Sequence, residues 1–290
     1  MIDVNNLSVK YVMGDFKDIG LKEYLIKQNL YANTLKDIKQ HNGQFLVNDQ
    51  IVENWYKLKK GDLLEVVLPA SIGGENIKSI KGDFEILYED SYLLIINKDN
   101  NIASIPTREH YEKSLANYVM SYYKRIGIVS NIHFVGRLDF ATSGIIVLAK
   151  NPYVMAKMKE IEIIKEYLLE VEGIFNKDSG IFECGIEKDP NSIIKRRVTD
   201  EFVNSKTIYE VVEKKENSSV IKARLVTGKT HQLRLHFATM GYPIIGDELY
   251  GKKADDNILH LHSYHIKFIH PITEKTIDII TYPMWYKDMI

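Results

Sequence analysis

The longest unbroken aliphatic run in this chain is Ile145 to Ala149, and its brevity limits what the chain can fold into. A membrane-spanning helix needs about 20 consecutive apolar residues, so none is expected. A short run rich in β-branched residues is what a strand buried on both faces presents. Around it the apolar residues recur with two periods. Leu115, Tyr118, Val119 and Tyr122 share one face of a helix predicted over residues 114–125, whereas Ile221 to Thr227 alternates as a half-exposed strand does. Further strands are predicted at 84–88, 92–96, 167–171, 259–269 and 276–281, with helices at 154–161 and from Thr230, its N-cap, to Gly241. The expectation is an α/β (α+β) fold with a mixed, largely antiparallel sheet and flanking helices.

The first part of the chain has a different rhythm. Residues 18–31 and 35–40 read as short helices. Phe45-Leu46-Val47 and Ile51-Val52 flank Asn48-Asp49 as a hairpin, and 63–68 reads as a strand ending at Pro69. A stretch with paired glycines, Gly73-Gly74, follows. The predicted organisation is therefore a small module over 1–72, a linker over 73–82 and a larger domain over 83–290. A linker of this kind is expected to carry few contacts between the parts.

Composition narrows the class. Met1 to Lys10 holds Asp3 ahead of any lysine and lacks an apolar core, so a secretory signal is not expected. Cys184 is the sole cysteine, which leaves no intrachain disulfide and fits a reducing cytoplasm. A formal net charge of −1 gives no global attraction to phosphate, so any nucleic-acid surface must come from local clustering. Lys195-Arg196-Arg197 is the densest such cluster.

One segment combines charge, small residues and loop character before entering the aliphatic run: Gly136-Arg137-Leu138-Asp139-Phe140-Ala141-Thr142-Ser143-Gly144. Loops carried on a rigid scaffold are where reactive side chains concentrate, although loop aspartates ordinarily brace turns. Other patterns carry less. Gly228-Lys229-Thr230 lacks the earlier glycine of a phosphate loop, since Ala223 stands there. His260, His262 and His265 could approach a metal, but without cysteines a solvated segment explains them as well. His231 and His236 are not expected to share a helix face.

Taken in order, the motifs resemble those of the RluA family of pseudouridine synthases. Arg137-Leu138-Asp139 with Thr142-Ser143-Gly144 is similar to that family's signature. Lys165-Glu166-Tyr167-Leu168 resembles its Lys-x-Tyr strand, and Gly228 to His236, carrying Arg234, its arginine-bearing helix. Gly241 to Asp247 with Leu249-Tyr250-Gly251 resembles the loop that follows; Asn97-Lys98 and Leu259 to Ser263 also fit. The chain departs at Gly136, where histidine is common, and at Ala141, where a charge is common. Residues 1–70 resemble the RNA-binding domain shared with ribosomal protein S-four, though with nine lysines, no arginine and nine acidic residues.

The resemblance implies an isomerase that converts uridine to pseudouridine in structured RNA, ribosomal RNA before transfer RNA, without metal or cofactor. It implies Asp139 as the catalytic carboxylate, Arg234 as its bidentate partner and Tyr167 against the target ring. Arg137 is the expected filler or phosphate contact, and Lys195, Arg196 and Arg197 are expected to meet the RNA backbone. No obligate protein partner is expected. The competing readings are a non-catalytic RNA-binding protein on the same scaffold and a glycosylase that releases uracil.

Overall fold

The computed structural model describes residues 8–14, 18–28, 35, 38, 43–68 and 77–289. In its first part, β1 (Ser8–Val12), β3 (Gln44–Val47), β4 (Gln50–Val52) and β6 (Leu63–Val67) form an antiparallel sheet in the order β1-β6-β3-β4. Beside it lie helix α1 (Leu21–Lys27) and a ribbon of β2 (Ile19–Gly20) and β5 (Lys57–Leu58). The β3–β4 hairpin turns on Asn48 and Asp49, with φ of 52° and 64°. That is the left-handed backbone a tight hairpin requires and that Asn and Asp tolerate best among side-chain-bearing residues. Of the second helix expected at 35–40, only Leu35 and Ile38 lie within the described residues, and both are buried. Of the expected linker over 73–82, residues 73–76 lie outside them.

The second part is one large sheet. Its strands are β7 (Glu85–Glu89), β8 (Leu93–Lys98), β9 (His133–Phe134), β10 (Ser143–Ala149), β11 (Ile164–Glu172), β12 (Ser179–Lys188), β13 (Arg196–Thr199), β14 (Ser205–Lys214), β15 (Ser218–Leu225), β16 (Leu261–Ile269) and β17 (Thr276–Ile280). They run β13-β12-β14-β15-β11-β16-β10-β8-β7, with β17 on β16 and β9 on β10. Among the described strands only β10 and β16 pair in parallel. Helix α2 (Leu115–Ile126) starts with a reciprocal capping box between Ser114 and Asn117 and ends at Gly127 in the left-handed conformation. Helix α3 (Pro152–Met158) takes Asn151 as N-cap with proline in its first turn. Helix α4 (Gln232–Thr239) begins after His231, not after Thr230 as expected.

The aliphatic run is buried on both sides. From β8 and β10, Leu94, Ile96, Ile146 and Leu148 face α2 and join Leu138, Tyr167, Leu233 and Phe237. The alternate residues Leu93, Ile95, Ile145, Val147 and Ala149 face the opposite way and meet α3 together with Val9, Leu21, Leu25 and Leu64 of the first part. Burying one such side chain contributes about 1.5–3 kcal/mol, so the second layer is a substantial part of the core. Two hydrogen bonds join the parts as well: the Tyr11 and Tyr153 hydroxyls lie 2.7 Å apart, and the Tyr92 hydroxyl donates to the Ser8 carbonyl at 3.2 Å.

The packing corrects one expectation. Few contacts were expected between the small module and the larger domain, yet the two share a single apolar cluster. The physical reason is that β8 and β10 are apolar on both faces and need a cover on each. A chain beginning at residue 77 should therefore expose Leu93, Ile95, Ile145 and Val147 to water. We expect it to unfold at a clearly lower temperature than the full chain and to aggregate at equal concentration. Thermal unfolding and light scattering of the two proteins check this, and equal melting temperatures would show that the shared cluster contributes little.

Candidate active site

Asp139 sits in the loop between β9 and β10, and that loop is tied down from behind. The Ser104 hydroxyl donates to the Leu138 carbonyl at 2.7 Å and accepts from the Leu138 N–H at 3.3 Å. The Thr142 N–H closes a turn onto the Asp139 carbonyl at 3.2 Å. The buried Lys98 ammonium donates to the carbonyls of Asp99 and Ile102, each at 2.8 Å, and of Phe140 at 3.3 Å. Burial pushes the Lys98 amine down to about 7, against the opposing pull of the Asp139 and Asp99 carboxylates. The loop backbone is thus fixed by two buried side chains.

The end of the motif is explained by strand contact. Gly144 has φ of +108°, and a Cβ there would collide with the Ser263 backbone where β10 runs parallel to β16. Only glycine meets both conditions. The preceding Ser143 hydroxyl lies 2.8 Å from His262 Nδ1, whose Nε2 lies 3.0 Å from the Thr281 hydroxyl. These contacts fix where the loop leaves the sheet, with the Asp139 side chain 32% exposed.

Two basic side chains from the start of α4 face that carboxylate. Arg234 Nη1 and His231 Nε2 each lie 3.8 Å from Asp139 Oδ2. Gln232 anchors the helix start: its amide donates to the Lys206 carbonyl at 3.0 Å and the Thr207 hydroxyl at 3.1 Å, and its carbonyl accepts from Thr227 and Lys229. His231, just before it, adopts φ of 58°, a left-handed conformation that costs energy for a residue with a Cβ. Its Nδ1 lies 3.0 Å from the Tyr250 hydroxyl, which also accepts the Arg196 N–H at 2.8 Å. Burial holds the His231 imidazole below its ordinary value, outweighing the upward pull of Asp139.

The geometry corrects the expected partner of Arg234. Its fork is given to Asp247: Nε donates to Oδ2 at 2.8 Å and Nη2 to Oδ1 at 2.7 Å. Asp247 is fully buried, and its Oδ1 accepts the N–H groups of Leu249 and Tyr250 too. A carboxylate removed from water needs such a partner, whereas Asp139, a third exposed, is partly solvated. Burial alone would lower the guanidinium, but the Asp247 pair more than compensates and holds it above its usual value. Arg234 therefore reaches Asp139 with only Nη1, by Coulomb attraction across 3.8 Å. Gly246, at φ of +79° against the Ile258 backbone, makes the turn that delivers Asp247.

Tyr167 on β11 is buried on the same sheet face as Leu138. Burial, and after it the Asp139 charge, push its hydroxyl up to about 12, so it keeps its proton near neutral pH. The space beside Gly136 is taken by the partly buried Lys165, whose Nζ a side chain at 136 would have to displace. Arg137 is exposed beside the loop. Of the basic cluster, Arg197 pairs with Glu187 across β12 and β13 at 2.7 Å, and Arg196 donates to the Ile194 and Lys195 carbonyls. Lys195 is exposed. The three histidines of the metal reading are engaged separately: His260 with Glu170 and Asp256, His262 with Ser143 and Thr281, His265 with Glu166 and Asp278.

The structure thus gathers Asp139, Arg234 and Tyr167 with three residues that the sequence reading did not assign to the site, His231, Asp247 and Tyr250. All three lie inside segments already singled out there, but nothing in their spacing shows which carboxylate the arginine would choose.

Known proteins give the arrangement its context. The model of the RNA pseudouridylate synthase family matches residues 92–239, just over half of the chain. An uncharacterized RNA pseudouridine synthase of Bacillus subtilis, YjbO, is 35% identical over 88% of this chain and 92% of its own. Ribosomal large subunit pseudouridine synthase C of Vibrio cholerae is 29% identical over 87% of each chain. Ribosomal large subunit pseudouridine synthase D of Borreliella burgdorferi is 28% identical over 89% of this chain and 80% of its own. Among solved structures, human RNA pseudouridylate synthase domain containing 1 superposes with a TM-score of 0.57 at 20% identity, over 72% of this chain and 86% of that one, a likeness of fold. With the family model matched across the Asp139 loop, β11 and all of α4, this chain belongs to the RNA pseudouridine synthase family.

Proposed function

We propose that this enzyme isomerises uridine in ribosomal RNA and that Asp139 is its catalytic carboxylate. The observation that carries the reading is the placement of Asp139. It is a partly exposed carboxylate on a rigidly held loop, faced by Arg234 and His231 at 3.8 Å, in a chain of this family. The isomerisation breaks the bond from the ribose to ring nitrogen and forms one to ring carbon, with no redox change and no external donor. An anionic side chain can serve it as nucleophile or base. The buried, protonated Tyr167 offers a ring face for the everted base and a hydroxyl for hydrogen bonding. Ribosomal RNA is favoured because relatives matched over most of the chain are named for the large ribosomal subunit. The first module's likeness to the S-four domain points the same way.

The roles of the charged groups follow from their burial. Asp247 holds the Arg234 fork and, through two further N–H groups, the segment bearing Tyr250. Arg234 then places one cationic edge beside Asp139, 3.8 Å from its Oδ2. Arg137 and the Lys195 and Arg196 side chains lie on the exposed rim and are assigned to the RNA backbone.

Three outcomes test this reading. Mapping pseudouridines in total RNA from cells with and without the gene should show loss at ribosomal positions; loss confined to transfer RNA would overturn the substrate assignment. Asp139→Asn keeps the side chain's shape and removes its charge. It should abolish pseudouridine formation, while affinity for RNA and melting temperature stay near those of the unaltered enzyme. Turnover at the normal rate would remove the assignment. Asp247→Asn leaves Arg234 buried without its anion, a change that typically costs about 3–5 kcal/mol when one partner of such a pair is lost. We expect a lower melting temperature and a fall in kcat larger than any rise in KM. A variant that kept both values would show that Arg234 holds its place without Asp247.

A further inference from the structure

Immediately after Asp139 the chain places an aromatic side chain in solvent. Phe140 is 39% exposed, although its backbone carbonyl is held by the buried Lys98. Its ring lies parallel to that of His110, with centroids 4.5 Å apart and planes within 10°. Offset stacking is one of the two arrangements that aromatic rings prefer, and holding it at the surface requires both backbones to be positioned. Here they are. His110 belongs to an excursion between Ala103 and Ser114, which bridge each other and close its base. The neighbouring Ser104 clasps Leu138 from both sides, so the excursion and the Asp139 loop are fastened to one another. Within the excursion, the His110 N–H donates to the Thr107 hydroxyl at 3.2 Å.

The surroundings suit a nucleic acid. His110 lines a recess of about 590 Å³ whose walls include Ile102, Arg108, Tyr111, Lys113 and Tyr118. Tyr111 is 59% exposed, and Arg108 and Lys113 are exposed, as is Arg137 on the adjoining loop. Of the two acidic residues of the excursion, Glu112 is paired with Lys78. Aromatic faces with basic side chains around them are how proteins hold unpaired bases, because every base has a π face and every linkage carries a negative charge. A uridine everted toward Asp139 leaves its neighbour in the strand unstacked on one side.

We propose that the Phe140–His110 pair is a stacking platform for the unpaired base next to the everted uridine. It rests on the reading of the Asp139 loop as the reaction site. The platform favours targets in single-stranded loops over targets inside helices, since a paired neighbour cannot present its face. It contributes binding and positioning and takes no part in bond making.

The test uses the full chain and two probes. One is a short single-stranded oligoribonucleotide carrying a single uridine with 2-aminopurine on each side. The other is total RNA from cells lacking the gene, as substrate for pseudouridine formation. With the unaltered enzyme, 2-aminopurine emission should be quenched on binding. Phe140→Leu and His110→Ala should lose that quench and raise KM about ten-fold, with kcat changed less than two-fold and the salt dependence of binding unchanged. Phe140→Tyr should restore both. Quench and KM like those of the unaltered enzyme in Phe140→Leu and His110→Ala would overturn the proposal. So would a ten-fold loss that Phe140→Tyr fails to rescue, since the role would then be packing of the loop. Asp139→Asn separates the two readings: it should lose turnover and keep the quench. If it kept turnover, the catalytic assignment would fall by itself, and the quench data on Phe140 would still decide the platform.

Discussion

The buried pair of Arg234 and Asp247 is the interaction on which the rest of the site depends. A fully buried carboxylate is tolerated only if its charge is met, and here four donors meet it: two from the guanidinium and two backbone N–H groups. That pair joins helix α4 to the loop beyond it. It brings Tyr250 under His231 and leaves one edge of the arginine turned toward Asp139. Two carboxylates thus share one cation with different shares of water. Asp247 is fully buried and held by hydrogen bonds; Asp139 is a third exposed and held only by longer-range attraction. The division keeps the Asp139 carboxylate accessible while its environment stays rigid.

Rigidity around Asp139 comes from several elements. Ser104 lies between β8 and α2, Lys98 ends β8, Gly144 opens β10 against β16, and Gln232 locks α4 onto β14. Each contact is individually modest, at about 0.5–1.5 kcal/mol for an ordinary hydrogen bond. Together they define one backbone path for the loop. The left-handed His231 belongs to the same design, because its unfavourable backbone directs the imidazole toward Asp139 and Tyr250 and not along the helix. The sheet behind these elements is covered on its far side by the small N-terminal module, so that module supports the scaffold whether or not it touches RNA.

Much of this was legible from residue order. The aliphatic run, the helix over 114–125, the hairpin at Asn48-Asp49 and the strands at 84–88 and 92–96 follow from local period and turn chemistry. The motifs containing Asp139, Tyr167 and Arg234 also named segments that the fold brings together. The stretch from 175 to 214 did not announce its three strands, because β12 and β14 lie toward one end of the sheet and mix apolar and polar residues on both faces. The start of α4 was placed on Thr230 by capping preference, but Gln232 holds the helix start by contacts to β14 that no local rule contains.

The sequence by itself determined the class of sheet, the segments that carry the site and the family to which the chain belongs. Those properties reside in periodicity, in glycines at positions no other residue can occupy, and in ordered motifs. Only the tertiary structure decided which carboxylate takes the arginine fork, that His231 completes the group around Asp139, and that the N-terminal module shares a core with the larger domain. The physical reason is common to all three. Partner choice among charges depends on burial, and burial is created only when distant strands and helices have met.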